Sequence, residues 1–392
     1  MPNKLKVLHV IPSVSPIRGG PSKAVIEMVN SLRELGVDAE IATTNDHGNN
    51  TLDVSLNTLI DYQGVPVRFF KRYSPKLPAI REFAYSRDFQ RWIKKNIRNY
   101  DIIHVHAIFS FCSSYAMYQA RKQGVKYIVR PIGQLETWSL KQSDRRKSTY
   151  LNLIERRNLS QANTIHFTAE SEKKQALEGI PELKSTVIPL GINTPEVIKN
   201  AKKKMCAHWH LKEGVPTIVF LSRLHPKKGL ELLISALSQL KRIEFQLVIA
   251  GEGDQQYTDT LRSTVIKHGL SEQCQFVGFV EGHEKNLLLQ GANLFALTSH
   301  SENFGIAALE AMAAGTAVLM SNEVALSSLV EQYQLGFITQ LNEQDIINAL
   351  NKALNELDTT HQMGRNGQNL VKEHYQWPTI SKKLVTLYQS LS

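Results

Sequence analysis

Glu302 and Glu310 are separated by seven residues in the run Glu302-Asn303-Phe304-Gly305-Ile306-Ala307-Ala308-Leu309-Glu310. The small and apolar residues from Phe304 to Ala314 predict a helix, closed by Gly315. The free N–H groups at its start, around Asn303-Phe304-Gly305, suit an anion such as a phosphate. Glu302 lies at the mouth of this helix and Glu310 about two turns further along, so the pair can grip two parts of one extended ligand. Upstream, the strand-like Thr217–Leu221 delivers Ser222-Arg223-Leu224-His225-Pro226-Lys227-Lys228-Gly229 onto a helical run from Leu230. Arg223 offers bidentate contact to phosphate and Lys228 a point charge. A third strand-like run ends in Gly251-Glu252-Gly253, where a nucleotide can approach the backbone closely.

These elements need a scaffold, and the alternation of strand and helix patterns supplies one. Strands are expected at 5–11, 38–44, 65–70, 102–105, 126–130, 164–168 and 186–188, with helices at 22–35, 80–97, 113–123 and 144–159. The second half repeats the logic from 217 to 320. Such βαβ alternation argues for an α/β chain with parallel, doubly wound sheets. At 392 residues the chain suits two domains. Their expected extents are 1–190 and 216–376, joined by a crossover over 191–215.

Arg223, Lys228 and the Glu302/Glu310 pair, in this order, resemble the donor half of retaining glycosyltransferase family 4, in particular its bacterial polysaccharide-biosynthesis members. The resemblance spans nearly the whole chain and is more specific in its second half. It implies the GT-B fold, two Rossmann-like domains facing a cleft, with the final helix (377–392) docking back on the first. It also implies a UDP-sugar donor, with the hexose expected to be glucose and a saccharide or lipid-linked acceptor. Glu310 would take the ribose, Glu302 the sugar hydroxyls, and Phe279 and Val280, after Gly278, the uracil edge. Asn303 stands where many relatives carry Gly, and Leu190 where Asn is frequent; Asn303 is thereby a position that can alter hexose choice.

On the N-terminal side, Arg18-Gly19-Gly20-Pro21 follows the first strand. A flexible loop is one reading of Gly19 and Gly20; the resemblance turns them toward the diphosphate and acceptor. The full Gly-x-Gly-x-x-Gly pattern is missing, which counts against an NAD-binding domain. His104 and His106 are expected on opposite faces of their strand, a reading under which a zinc pair is improbable. The resemblance selects His106 for the reaction centre. Arg130 and Gly133 either frame the acceptor or, for Arg130, leave a solvated charge at a strand end.

No Asp-x-Asp occurs, so a divalent-metal clamp on the diphosphate is not expected, and Arg223, Lys228 and the helix start would supply the positive field. Retention is implied by the resemblance. The alternatives are a UDP-sugar 2-epimerase of the same fold and a non-catalytic sugar-nucleotide-binding protein. Cys112, Cys206 and Cys274 are odd in number and widely spaced, which favours a reducing compartment. The start, Met1-Pro2-Asn3-Lys4, precedes an apolar run too short for a signal core, and no run reaches membrane-spanning length, so a cytoplasmic location is expected. The net charge of +10 calls for an anionic partner. Nucleic acid is not expected, since no binding motif for it is present. Arg81, Arg87, Arg91, Lys94, Lys95 and Arg98, interleaved with Phe83, Phe89, Trp92, Ile93 and Ile97, read either as a solvated helix face or as a peripheral contact with anionic lipid at the inner face of a membrane.

Overall fold

A computed structural model describes residues 4–136 and 149–391. The chain forms two compact units, one of residues 1–191 with 377–392 and the other of residues 192–376.

The first unit is built on an eight-stranded sheet. Its strands are β1 (Lys6–Val10), β2 (Asp38–Thr44), β5 (Leu59–Tyr62), β6 (Val65–Phe70), β7 (Ile102–His106), β8 (Lys126–Arg130), β9 (Thr164–Phe167) and β10 (Ser185–Val187). β3 (Asp46–His47) and β4 (Asn50–Thr51) form a separate small hairpin. The sheet order is β10-β9-β8-β7-β1-β2-β6-β5, so the winding direction reverses between β1 and β7. All pairs are parallel except β5 with β6, an edge the alternation did not reveal. β1 and β7 are buried on both faces, as parallel strands covered by helices must be. The helix Trp377–Leu391 packs on the helix Gly20–Glu34 of this unit. Its Trp377, Ile380, Leu384 and Tyr388 are buried, and the Trp377 indole N–H donates to Glu27 at 2.8 Å.

The second unit holds β11 (Thr217–Leu221), β12 (Gln246–Ala250), β13 (Cys274–Gly278), β14 (Leu294–Leu297), β15 (Ala317–Ser321) and β16 (Gly336–Thr339). All are parallel, in the order β13-β12-β11-β14-β15-β16, and the reversal falls between β11 and β14. The stretch expected as a crossover carries the helix Ala201–Trp209 instead. That helix belongs to this unit because Met205, Cys206 and Trp209 are buried, and Gly291 of the helix Gly282–Gly291 leaves room for Met205.

Two expected helices differ. The helix expected over 80–97 is two, Pro78–Glu82 and Arg87–Asn96. The chain breaks at Ala84, with φ of 55°, and restarts at Ser86, whose hydroxyl accepts from the Phe89 N–H. Phe89, Ile93 and Ile97 then bury in the core with Phe70, which leaves Arg87, Arg91, Lys94, Lys95 and Arg98 on the solvated side. Of the helix expected over 144–159, residues 144–148 lie outside the described residues; helical structure runs through Leu151–Glu155 as a π turn and Arg156–Ser160 as α. Among the described residues no helix is long and apolar enough to cross a membrane.

Candidate functional site

The donor-side residues gather at the C-terminal ends of the second unit's strands, around the reversal between β11 and β14, where open parallel sheets bind their ligands. Two loops are stitched together there. Gly229 has φ of +65°, and a Cβ on it would lie 2.0 Å from the Thr298 carbonyl oxygen, so only glycine lets the loops approach. The Thr298 hydroxyl donates to the Gly229 carbonyl at 2.8 Å, and the His300 N–H to that of Lys227 at 2.8 Å. Main-chain bonds to Glu323 and Ala325 clamp Glu302. The result is that Lys228 Nζ donates to Glu302 across 74 residues of sequence, with both side chains largely buried. Arg223, on the same loop, is exposed.

Gly251 and Gly253 serve a different purpose from the one expected. A Cβ at Gly251 would sit 1.9 Å from the Ser222 carbonyl oxygen, and one at Gly253 would sit 2.0 Å from that of Leu224. What lies where their side chains would be is the Arg223 loop, so glycine here lets that loop pack against the strand end. The helix following Glu302 starts later than expected, at Ile306, and runs to Ala313. Gly305, with φ of 83°, is its N-cap, while Phe304 is buried and Asn303 half-buried. Glu310 lies one turn in, and Lys285 Nζ donates to its Oε1 at 2.6 Å. Lys285 was invisible to sequence reasoning: a cation in the first turn of a helix carries no local signal. Phe279 is 57% exposed beside the buried Val280, after a turn that Gly278 makes with φ of 77°.

In the first unit Gly19, with φ of 76°, caps the helix that begins at Gly20, and a Cβ there would meet nothing within 4 Å. The reason for glycine is the backbone angle. Arg18 beside it is committed to Asp46 through two hydrogen bonds and to Glu82 through an ion pair.

His104 and His106 share one face of β7, which corrects the expectation of opposite faces. Side chains alternate along a strand, so residues two apart point the same way. Their ring centroids are 4.3 Å apart. His9 stacks on His106, and their Nδ1 and Nε2 atoms lie 2.9 Å apart. His166 Nε2 donates to the Ile188 carbonyl at 2.8 Å, so its neutral ring accepts at Nδ1 from His104 Nε2 at 3.2 Å. His104 Nδ1 then accepts from the Tyr388 hydroxyl at 2.8 Å. Arg130 pairs in register with His106 and is 1% exposed, with none of its guanidinium nitrogens hydrogen-bonded among the described residues. It is therefore no solvated charge; it lies buried near Tyr388 and Glu172. Gly133 donates its N–H to Glu172 at 2.8 Å, which is a loop-shaping role.

Burial, reinforced by Arg130, pushes the His9 and His166 imidazoles down to about 3 and those of His104 and His106 well below their ordinary range. Burial likewise lowers Arg130 to about 10. His9, His104 and His106 bring ring nitrogens within 4.8 Å of one another, a spacing compatible with metal ligation. A dication there would sit beside the buried Arg130 with no negative ligand from the three. The set reads as a hydrogen-bonded neutral network.

Two family models match: Glycosyltransferase Family 4 over residues 18–196 and Glycosyl transferases group 1 over residues 202–370. The chain is similar to an uncharacterized glycosyltransferase of Methanocaldococcus jannaschii, at 33% identity over 53% of this chain and 55% of that one. It is also similar to the GDP-mannose:cellobiosyl-diphosphopolyprenol alpha-mannosyltransferase of Komagataeibacter xylinus, at 24% identity over 99% and 93% of the two chains. Among solved structures, sucrose-phosphate synthase from Thermosynechococcus elongatus superposes with a TM-score of 0.81 at 20% identity, covering 99% of each chain. Anabaena HepE in complex with UDP-glucose gives 0.76 at 19%, covering 98% of this chain and 100% of that one.

Proposed function

Since the chain belongs to glycosyltransferase family 4 and has the GT-B fold, we propose that it is a retaining, metal-independent hexosyltransferase, moving glucose from UDP-glucose to a saccharide or lipid-linked acceptor in polysaccharide assembly. The observation that carries this reading is the Lys228–Glu302 pair at the β11/β14 reversal, with Arg223 on the same loop. A bound donor gives both partners better company: Lys228 turns to the diphosphate and Glu302 to the hexose hydroxyls. In the transfer the anomeric C–O bond to the diphosphate breaks and the acceptor oxygen bonds to the same face of the sugar. The acceptor's proton goes to a phosphate oxygen of the leaving group. Charge builds on that phosphate, where Arg223, Lys228 and the helix start at Gly305 meet it. UDP-glucose bound to HepE favours uridine, while GDP-mannose in the name of the Komagataeibacter relative favours guanosine as the second reading.

A thermal-shift panel of UDP-glucose, UDP-galactose, GDP-mannose and ADP-glucose decides between them. The preferred donor at 100 times its Kd stabilises the fold by about 2.7 kcal/mol. A larger shift with GDP-mannose than with any UDP-sugar overturns the uridine assignment. Transfer to acceptor survives dialysis against EDTA; full loss restored by Mn²⁺ or Mg²⁺ overturns metal independence.

The acceptor reading includes peripheral contact with an anionic membrane. The solvated cations of the helix Arg87–Asn96 support it, together with Tyr73, Leu77 and Ile80, which are 58%, 63% and 45% exposed beside exposed Lys71 and Lys76. Each basic residue near such a surface adds about 1 kcal/mol. The protein is expected to co-sediment with phosphatidylglycerol vesicles at low salt and not with phosphatidylcholine vesicles. Equal recovery in both supernatants leaves those cations simply solvated.

A further inference from the structure

We propose that Lys285 is the cation that makes the donor site select a nucleotide with an intact ribose diol, a positioning residue acting through Glu310. The proposal rests on the donor reading above and deepens it.

Two ion pairs flank the short helix Ile306–Ala313. Lys228–Glu302 lies ahead of its first turn, and Lys285–Glu310 inside it. The second pair is closed at 2.6 Å, and its side chains are only 15% and 13% exposed. A pair this far from water costs desolvation that apolar residues of the same size would avoid. It therefore stands out in a helix whose other inward residues are Ala308, Leu309, Ala311 and Met312. Lys285 lies in the first turn of the helix Gly282–Gly291, a few residues after the exposed Phe279, in the stretch that the resemblance gives to the base. The pair thus sits toward the nucleoside end of the site, and Lys228 toward the diphosphate end.

The chemistry follows from the two groups. A vicinal diol donates two O–H bonds to a carboxylate, and its oxygens accept from an ammonium. Lys285 holds the Glu310 carboxylate turned toward the diol through the 2.6 Å contact. This division of labour predicts that Lys285 acts on donor affinity and not on turnover, because the ribose carries the same charge before and during transfer.

The test compares UDP with 2′-deoxy-UDP by calorimetry on the whole protein. The wild type is expected to prefer UDP by roughly tenfold, as suits one hydrogen bond to a charged group. Lys285→Met is expected to weaken UDP about tenfold or more, to bring the two ligands to equal affinity, and to leave kcat at saturating donor within about twofold. Lys285→Arg is expected to recover part of the preference. Lys285→Met with Glu310→Gln is expected to lose no more than either change alone, since the two act as one unit. An unchanged preference for UDP in Lys285→Met overturns the proposal, as does a fall in kcat with KM unmoved. If the methionine variant does not fold, Lys285→Gln is measured in its place against the same outcomes. Failure of the wild type to bind any sugar nucleotide would overturn the donor reading itself; normal binding by the wild type with no loss in Lys285→Met overturns this inference alone.

Discussion

Lys228→Ala is expected to lower kcat by about 10² to 10³, with a smaller change in KM. Its loop is fixed by hydrogen bonds to residues 298–300, so once the ammonium has turned to the bound diphosphate it needs no further reorganisation as the donor's glycosidic bond breaks. An interaction that strengthens with developing phosphate charge contributes to turnover rather than to ground-state binding. Removing it also leaves Glu302 largely buried without its cation, which adds to the loss. Arg223→Ala is expected to act in the same direction and less strongly, because its exposed guanidinium is screened by water. Steady-state kinetics with the donor identified by the thermal-shift panel provide the measurement. A rise in KM alone in both variants would show that these cations only bind the donor, and leaving-group stabilisation would be the wrong role.

Acid is expected to destabilise the protein through the first unit's histidines. His9 and His166 are held at about 3 when folded, against about 6.5 in an unfolded chain. Below pH 6.5 the unfolded state therefore takes up protons that the folded state refuses. Stability supplied by these groups is complete above pH 6.5 and is lost as pH falls toward 3. By pH 5 the loss is about 2 kcal/mol for each of the two. The groups facing this network are Arg130, whose charge opposes protonation, the Tyr388 hydroxyl of the C-terminal helix, and Glu172. Burial pushes the Glu155 and Glu172 carboxyls up, so they gain protons on folding and work with the opposite sign. The readout is accordingly the difference in Tm between wild type and His166→Asn, followed from pH 7.5 to 5. The wild type is expected to fall more steeply than the variant. Parallel curves would mean that His166 stays neutral for no energetic reason of its own.

Much of this was legible in the residues alone. The alternation of buried apolar runs with amphipathic helices dictated two parallel sheets, since period and turn residues are local properties. The candidate charges were legible as well: Arg223, Lys228 and Glu302 lie in loops after strands, and Glu310 lies in the helix that follows. Tertiary structure decided which groups meet. Strand order is non-local, so nothing near Lys228 announces that β11 and β14 are neighbours, or that Glu302 lies within its reach. The same holds for Lys285 and Glu310, brought together from 25 residues apart by the packing of two helices. Gly251 and Gly253 were recognisable as necessary, but only the sheet shows that what passes over them is the Arg223 loop. That Arg130 is no solvated strand-end charge was hidden because burial is a property of what covers a residue, and the histidine network waits on a sheet order that sets β7 between β1 and β8, with β9 beyond β8. Residue type and spacing specify the chemistry a chain can do, whereas the three-dimensional order of its strands specifies which pairs of groups share one dielectric environment and so do it together.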